Sequence, residues 1–417
     1  MIEFTDEQKN LIHAAIKWYT SSSSGQIFQY SSPAGCGKST VMHAIIDALG
    51  IQSNEVAPMA YTGAATTIMR INGFGNAKTI HSWLYTPVEY VETDPITNKT
   101  YKKIKYVYKG IPKSLYKIIC IDEGSMVPLH MKKDILRSGI KIIVCGDLNQ
   151  LPPVKDKPAF LYDGKIYFLT KIMRQSQGSA IVEFSQRILK GEPIKPGIYN
   201  DLTVIPMNTF IYYQKEMIPK MDVILCGTNK TRDYYNSFVR KDILHKSSIM
   251  PELGEKVICR KNNWDIEVDG VNLTNGLSGT ITSMPSISSY KKGKMFTMDF
   301  IPDLFPSVKF TGLKCDYKYF TADNKTRNAM KEFGNPLYRA EGEKFEFSYA
   351  ITTHLSQGSQ FFNGIYLQEY FGSPEMRKHL NYTGITRFRN HCIYVVPDTG
   401  IYIPIRKSVA QINGRSI

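Results

Sequence analysis

One run of residues constrains this chain more than any other: Ser31-Ser32-Pro33-Ala34-Gly35-Cys36-Gly37-Lys38-Ser39-Thr40, a glycine-rich turn set between a strand pattern and a helix pattern. Before it, Gln26 to Tyr30 reads as a buried strand. After it, Val41, Ile45, Ala48 and Leu49 recur at helical spacing until Gly50 offers a stop. A strand feeding a helix through such a turn is the context a phosphate-gripping loop requires. Gly35 and Gly37 let the backbone turn its N–H groups onto phosphates, Lys38 reaches the β- and γ-phosphates, and the Ser39 hydroxyl is placed to ligate Mg²⁺. Ser32 stands where the usual G-x-x-x-x-G-K-[ST] pattern has its first glycine; serine is small enough for the position. The loop implies a nucleoside triphosphatase.

At 417 residues the chain is long enough for two or three domains. Lys+Arg 52 against Asp+Glu 37 gives a net charge of +15, which favours a polyanionic partner. The 7 cysteines lack C-x-x-C spacing, so free thiols in a reducing compartment are expected and a structural zinc site is not. The amino terminus shows no signal-peptide pattern and the longest apolar runs are strand-sized, so a cytoplasmic protein without a membrane span is expected. Alternating α and β patterns run to about residue 175, interrupted between 86 and 110 by two alternating strands that read as a hairpin. A second αβ block starts at 176, breaks from 262 to 347 into short strand patterns with Gly, Pro, Ser and Lys between them, and resumes at 348.

A P-loop hydrolase needs a magnesium carboxylate and a water-activating base on the neighbouring strand end. Ile118-Ile119-Cys120-Ile121-Asp122-Glu123 offers both, Asp122 for the metal and Glu123 for the water. Taken alone an Asp-Glu pair is a common strand terminus; the P-loop upstream gives it meaning. Another apolar strand ends in Gly146-Asp147-Leu148-Asn149-Gln150-Leu151-Pro152-Pro153, where Gln150 can hydrogen-bond a γ-phosphate or its attacking water. Charge accumulating on that phosphate calls for a cation, and Arg174 and Arg387 are the candidates.

With these residues assembled, the chain resembles superfamily 1 helicases, and within them the 5′-to-3′ branch that includes Dda and RecD. The resemblance preserves motif order along nearly the whole length. Phe4-Thr5-Asp6-Glu7-Gln8 is similar to the Q motif, which implies that Gln8 reads an adenine edge. Ala60-Tyr61-Thr62-Gly63-Ala64-Ala65 resembles motif Ia and Lys78-Thr79-Ile80-His81-Ser82 motif Ib, which implies DNA contacts at Thr62, Gly63, Thr79 and His81, with Trp83 beside them as a stacking candidate. Val223 to Asn229 resembles the opening strand of a second RecA-like domain, with Asn229 facing DNA. Tyr349 to Ser359 is similar to motif V, which implies DNA contacts at Thr352 and His354 and nucleotide coupling at Gly358; Leu355 replaces the family's lysine. Tyr382 to Arg389 resembles motif VI and makes Arg387 the arginine finger. Gln150-Leu151-Pro152-Pro153-Val154 is the form found in the 5′-to-3′ branch.

The resemblance implies an α/β fold of two RecA-like P-loop NTPase domains with a β-hairpin pin and a small SH3-like β insertion. The first domain would span 1–175 with the pin at 86–110; the second 176–261 and 348–417, with the SH3-like insertion at 262–347. ATP and Mg²⁺ are the implied cofactors, with Gly35, Cys36, Gly37, Lys38, Ser39 and Thr40 around the nucleotide. Single-stranded and fork DNA are the implied partners, alongside single-stranded-DNA-binding or replisome proteins, for a monomer. Tyrosines 90, 101, 106 and 108 among lysines 99, 102, 103 and 105 give the hairpin base-stacking faces beside phosphate-holding charges. The layout suits a bacteriophage replication or recombination factor in a bacterial host. Two other functions fit the motifs: a motor that acts on RNA or remodels protein–DNA complexes, and a P-loop binding protein that does not hydrolyse its nucleotide.

Overall fold

A computed structural model of the chain describes residues 3–33, 35–93, 100–153, 156–170, 178–290, 293–323, 325–327 and 342–398. The chain divides into two compact units; the first holds the chain up to Leu148 and the stretch from Pro152 to 170, the second holds Asn149–Leu151 and most of the chain beyond residue 177. Among the described residues no helix is long and apolar enough to cross a membrane.

The first unit is built on β1 (Ile27–Ser31), β2 (Val56–Ala60), β3 (Lys78–Thr79), β6 (Ile118–Asp122), β7 (Lys141–Gly146) and β8 (Ile166–Phe168), with β4 (Tyr85–Thr93) and β5 (Thr100–Tyr108) set apart as a two-stranded antiparallel hairpin. The six strands pair in parallel in the order β3-β2-β6-β7-β1-β8. Both faces of such a sheet are covered, which is why β6 and β7 read as unbroken apolar runs. The core gathers Ile119, Ile121, Ile142 and Val144 from the sheet with Met131 and Ile135 from the helix Leu129–Leu136. The helix Asp6–Thr20 begins with a capping box between Thr5 and Gln8.

In the second unit β9 (Gly197–Ile198), β10 (Leu202–Pro206), β11 (Val223–Cys226), β20 (Ala350–Thr352), β21 (Phe361–Leu367) and β22 (Phe388–Val396) form a sheet ordered β20-β11-β21-β22-β10-β9, parallel except at its β9 edge. The helices Ala180–Lys190, Met207–Met217, Asn229–Phe238 and Pro374–Ile385 accompany it. Between β11 and β20 the chain builds β12 (Lys256–Cys259), β13 (Asn263–Val268), β14 (Val271–Leu273), β15 (Ser278–Ile281), β16 (Ser286–Tyr290), β17 (Gly293–Pro302), β18 (Phe310–Asp316) and β19 (Phe345–Phe347). Six of these pair antiparallel as β16-β17-β15-β12-β19, with β18 on β17, around Phe296, Phe300, Phe310 and Phe345. The sheet therefore takes in β12, upstream of residue 262.

Buried charge fastens this antiparallel sheet within the second unit. Arg240 and Glu255 pair at 2.8 Å with both side chains almost wholly buried. Glu346 lies at the centre of Arg232, Arg260 and Arg327 at 3.5, 3.2 and 3.6 Å. Burial pushes the Glu346 carboxyl up, but these guanidinium groups more than offset it and hold its pKa at about 2.

Candidate nucleotide site and nucleic-acid motifs

The P-loop leaves the carboxyl end of β1, where Ser32 donates its N–H to the Gly146 carbonyl at 2.9 Å and is fully buried. Its Oγ reaches the Pro33 carbonyl at 3.2 Å and it also hydrogen-bonds the Cys36 side chain, so a small hydroxyl fills the space of the missing glycine. Gly35 at φ 90° and Gly37 at φ 80° take the left-handed turn that opens the loop onto the helix Lys38–Ala48. A Cβ on Gly37 would also stand 3.2 Å from Gln8 Nε2.

Gln8 is placed differently from the adenine-reading role expected of it. The side chain is 6% exposed; its Oε1 accepts from Thr5 N at 3.0 Å and its Nε2 donates to the Cys36 carbonyl at 3.1 Å. The amide oxygen is thus spent on the cap of the first helix and the amide nitrogen on the P-loop.

Lys38 is half-buried and feels the field of three carboxylates. Burial works against its ammonium, but Glu123, Asp147 and Asp122 outweigh that cost and hold its pKa well above the ordinary lysine value. Asp122 closes β6 and its Oδ1 accepts from Glu123 N at 2.8 Å and from the Cys145 thiol at 3.1 Å. Burial, then the neighbouring Glu123, push the Asp122 carboxyl up, with Lys38 opposing. Glu123 adopts φ 50°, a left-handed conformation costly for a side chain of its size, and its Oε2 is buried without a hydrogen-bond partner among the described residues. The next residue must be glycine: a Cβ on Gly124 would meet Val144 Cγ1 at 2.3 Å. Asp147, fully buried, is the member of this group that sequence reasoning passed over, although Gly146-Asp147 closes a third apolar strand. The Ser39 hydroxyl accepts from Asn72 Nδ2 at 3.4 Å.

The motifs expected at DNA divide into exposed and buried sets. Trp83 is corrected outright: it is 7% exposed, its indole N–H donates to the Pro58 carbonyl at 2.8 Å, and its ring stands edge-on to Tyr116. It is a core residue of the first unit, unable to stack on a base. Thr79 is 3% exposed and caps the short helix Ile80–Leu84 through its Oγ1, so its side chain too is occupied. Gly63 is buried, and Thr62 Oγ1 caps the helix Gly63–Ile71 by accepting from Ala65 N at 3.2 Å. His81, by contrast, lies on the surface with its ring 4.8 Å from Tyr85 and 5.3 Å from Tyr106 of the hairpin. Partial burial, then the field of His130, lower its pKa and favour the neutral imidazole. Tyr90, Tyr106, Val91 and Val107 keep the hairpin surface apolar and exposed.

In the second unit Asn229 opens the helix Asn229–Phe238 behind the cap Thr228, and the Glu369 carboxylate accepts from Gly227 N, Thr228 N and the Thr231 hydroxyl. Thr352 Oγ1 accepts from Leu355 N at 3.3 Å. Leu355 packs against the core cluster containing Phe184 and Tyr382, which accounts for an apolar residue where the family has lysine. Burial lowers the pKa of His354. Gly358 is buried at φ 78°. Within the same unit Leu151 N donates to Thr383 Oγ1 at 3.0 Å and Gln357 Nε2 donates to the Leu151 carbonyl at 2.9 Å. Gln150, 1% exposed, keeps its Oε1 without a partner among the described residues. Arg387 is 4% exposed, its Nε donating to the Thr383 carbonyl at 3.2 Å and its Nη1 to the Ser359 carbonyl at 3.4 Å. Arg174 lies outside the described residues.

Residues 3–206 match the model of an AAA domain family. The chain is 25% identical to the ATP-dependent DNA helicase Pif1 of a Psychrobacter species, over 62% of this chain and 44% of that protein. It is 26% identical to the uncharacterized protein MJ1519 of Methanocaldococcus jannaschii, over 88% of this chain and 36% of that one. The chain therefore spans less than half the length of either relative. Its fold matches the crystal structure of the Pif1 helicase from Candida albicans with a TM-score of 0.56 at 18% identity, across 99% of this chain and 98% of that one. The P-loop and the two largely parallel sheets define an α/β fold of RecA-like P-loop domains, as in that structure. In sequence the chain is similar to a Pif1 helicase over part of its length.

Proposed function

We propose that this chain is an ATP-dependent DNA helicase that translocates 5′-to-3′ on single-stranded DNA and unwinds the duplex ahead of it. The placing of Lys38 at the P-loop turn, half-buried and in the field of Glu123, Asp147 and Asp122 at the ends of β6 and β7, carries the reading, because a lysine among carboxylates that could hold a cation is what a nucleotide with its metal requires. Ser39 Oγ and the Asp122 carboxylate are hard oxygen donors suited to Mg²⁺, which when bound would neutralise charge on the β- and γ-phosphates. The orphaned Glu123 Oε2 is poised to accept a proton from an attacking water, and Lys38 to hold the phosphates in line. Gln150 is assigned to sensing the γ-phosphate, and Arg387 and Arg174 to meeting the charge that develops there.

The hairpin of β4 and β5 is read as the pin that separates strands, and the antiparallel sheet from β12 to β19 as the SH3-like insertion. His81, Thr62, Asn229, Thr352 and His354 are assigned to the DNA strand. A net charge of +15 supports a polyanionic substrate and makes binding weaken with salt. The Dda-like layout supports a monomeric bacteriophage replication or recombination enzyme working at forks in the host cytoplasm beside single-stranded-DNA-binding proteins.

Partial duplexes with either a 5′ or a 3′ single-stranded tail test the proposal. Unwinding from the 5′ tail alone is expected, and it should vanish in Lys38→Ala. Unwinding from the 3′ tail alone would overturn the polarity, and undiminished DNA-stimulated hydrolysis in Lys38→Ala would overturn the site.

A further inference from the structure

Three residues of the first unit's sheet form a polar row on one face. Tyr30 of β1 is level with Cys145 of β7 in the parallel register, and because Ile121 pairs with Val144, Asp122 of β6 is level with Cys145 on its other side. Residues level with one another on parallel strands share a face. All three are buried, Tyr30 and Cys145 completely. The Cys145 thiol donates to Asp122 Oδ1 at 3.1 Å, and the Tyr30 hydroxyl donates to the Lys38 carbonyl at 2.9 Å. The one thiol donor of the row is thus directed at the carboxylate that ends β6.

We propose that Cys145 is a positioning residue for Asp122, and that its thiol sets the carboxylate's orientation toward the cation of the bound nucleotide. The inference rests on the reading of Asp122 as the magnesium carboxylate. Asp122 Oδ1 is taken by the Cys145 thiol and the Glu123 N–H together, which leaves Oδ2 as the oxygen to meet a cation. A carboxylate fixed by two donors loses less rotamer freedom when it takes up a cation.

The experiment titrates MgCl₂ into the full chain with a fluorescent ADP analogue and reads the Mg²⁺ midpoint, with nucleotide affinity in EDTA measured beside it. Cys145→Val keeps the volume and removes the donor; Cys145→Ser keeps a donor. Loss of an outer hydrogen bond to a metal ligand costs about 10- to 100-fold in metal affinity, so the midpoint of Cys145→Val should rise by about that factor while Cys145→Ser stays within about threefold of the parent. Nucleotide affinity in EDTA should be unchanged in both. A midpoint in Cys145→Val equal to the parent's, or equal rises in Val and Ser, would overturn the inference. Asp122→Asn separates the two levels of argument. If it leaves the midpoint unmoved, the metal reading of Asp122 falls and this inference with it; if it moves the midpoint and Cys145→Val does not, only the positioning role fails. Should urea melts show Cys145→Val unfolded, Cys145→Ala takes its place as the variant without a donor, and a midpoint there equal to the parent's would overturn the inference.

Discussion

Gln8 donates from Nε2 to the Cys36 carbonyl at 3.1 Å, so the first helix of the chain holds the back of the P-loop. Removing that brace should loosen the loop for any nucleotide, whatever its base. Gln8→Ala is expected to weaken ATP and GTP binding alike, by about tenfold, the worth of a buried hydrogen bond of ~1 to 1.5 kcal/mol. Competition titrations with the two nucleotides decide it. A loss confined to ATP would return Gln8 to adenine recognition.

Glu123 couples function to strain. In Glu123→Gln the site should fold and bind nucleotide while turnover falls about 10²- to 10⁴-fold, the range for loss of a general base. Glu123→Gly should be equally inactive yet more stable by about 1 kcal/mol, because glycine tolerates the φ of 50° that glutamate holds at a cost. Urea melts of the two variants and the parent measure this; a destabilised glycine variant would show that the backbone at 123 is not strained.

Trp83 should behave as core. Trp83→Ala is expected to lose about 3 to 5 kcal/mol of stability, the range for emptying a large aromatic site. Trp83→Phe, which keeps most of the volume but abandons the Pro58 carbonyl, should lose less and keep DNA affinity within about twofold, as befits a side chain 7% exposed. Anisotropy with a labelled oligonucleotide provides the reading, and a large drop in DNA affinity in a folded Trp83→Phe would restore the stacking role.

Acid should release the second unit's charge cluster. Glu346 has a folded pKa of about 2 against an ordinary 4.5, so its stabilising contribution is complete above the ordinary value and is lost as pH falls through that of the folded state. The amount is on the order of 3 kcal/mol. Stability measured between pH 5 and pH 2 should fall more steeply in the parent than in Glu346→Gln, which is already weakened at neutral pH by three arginines left facing a neutral amide. Parallel curves would assign the acid sensitivity elsewhere.

Legibility in the sequence depends on the physics of each feature. Lys38, Asp122 and Glu123 can be found because each sits where an uninterrupted apolar strand or a glycine turn ends, a pattern that local spacing records. Cys145 and Tyr30 cannot, since their partnership is a matter of strand register across β1, β7 and β6, which no local spacing encodes. Trp83 escapes a correct reading for a related reason: the helix Ile80–Leu84 is too short for its periodicity to say which side faces inward, and the structure turns Trp83 in and His81 out. Leu355 shows the reverse, a departure from a family motif that packing against the second unit's core cluster explains once the core is seen.

The antiparallel sheet of the second unit begins and ends on neighbours: β12, which enters it, pairs with β19, which leaves it, Val257 opposite Phe347. A module whose entry and exit lie side by side imposes no span on its host. Everything from β13 to β18 can lengthen, shrink or be exchanged in descent or by engineering while the sheet of β10, β11, β20, β21 and β22 keeps its connections. That makes this segment the natural place for relatives of very different length to diverge, and a permissive site for grafting a reporter into the chain.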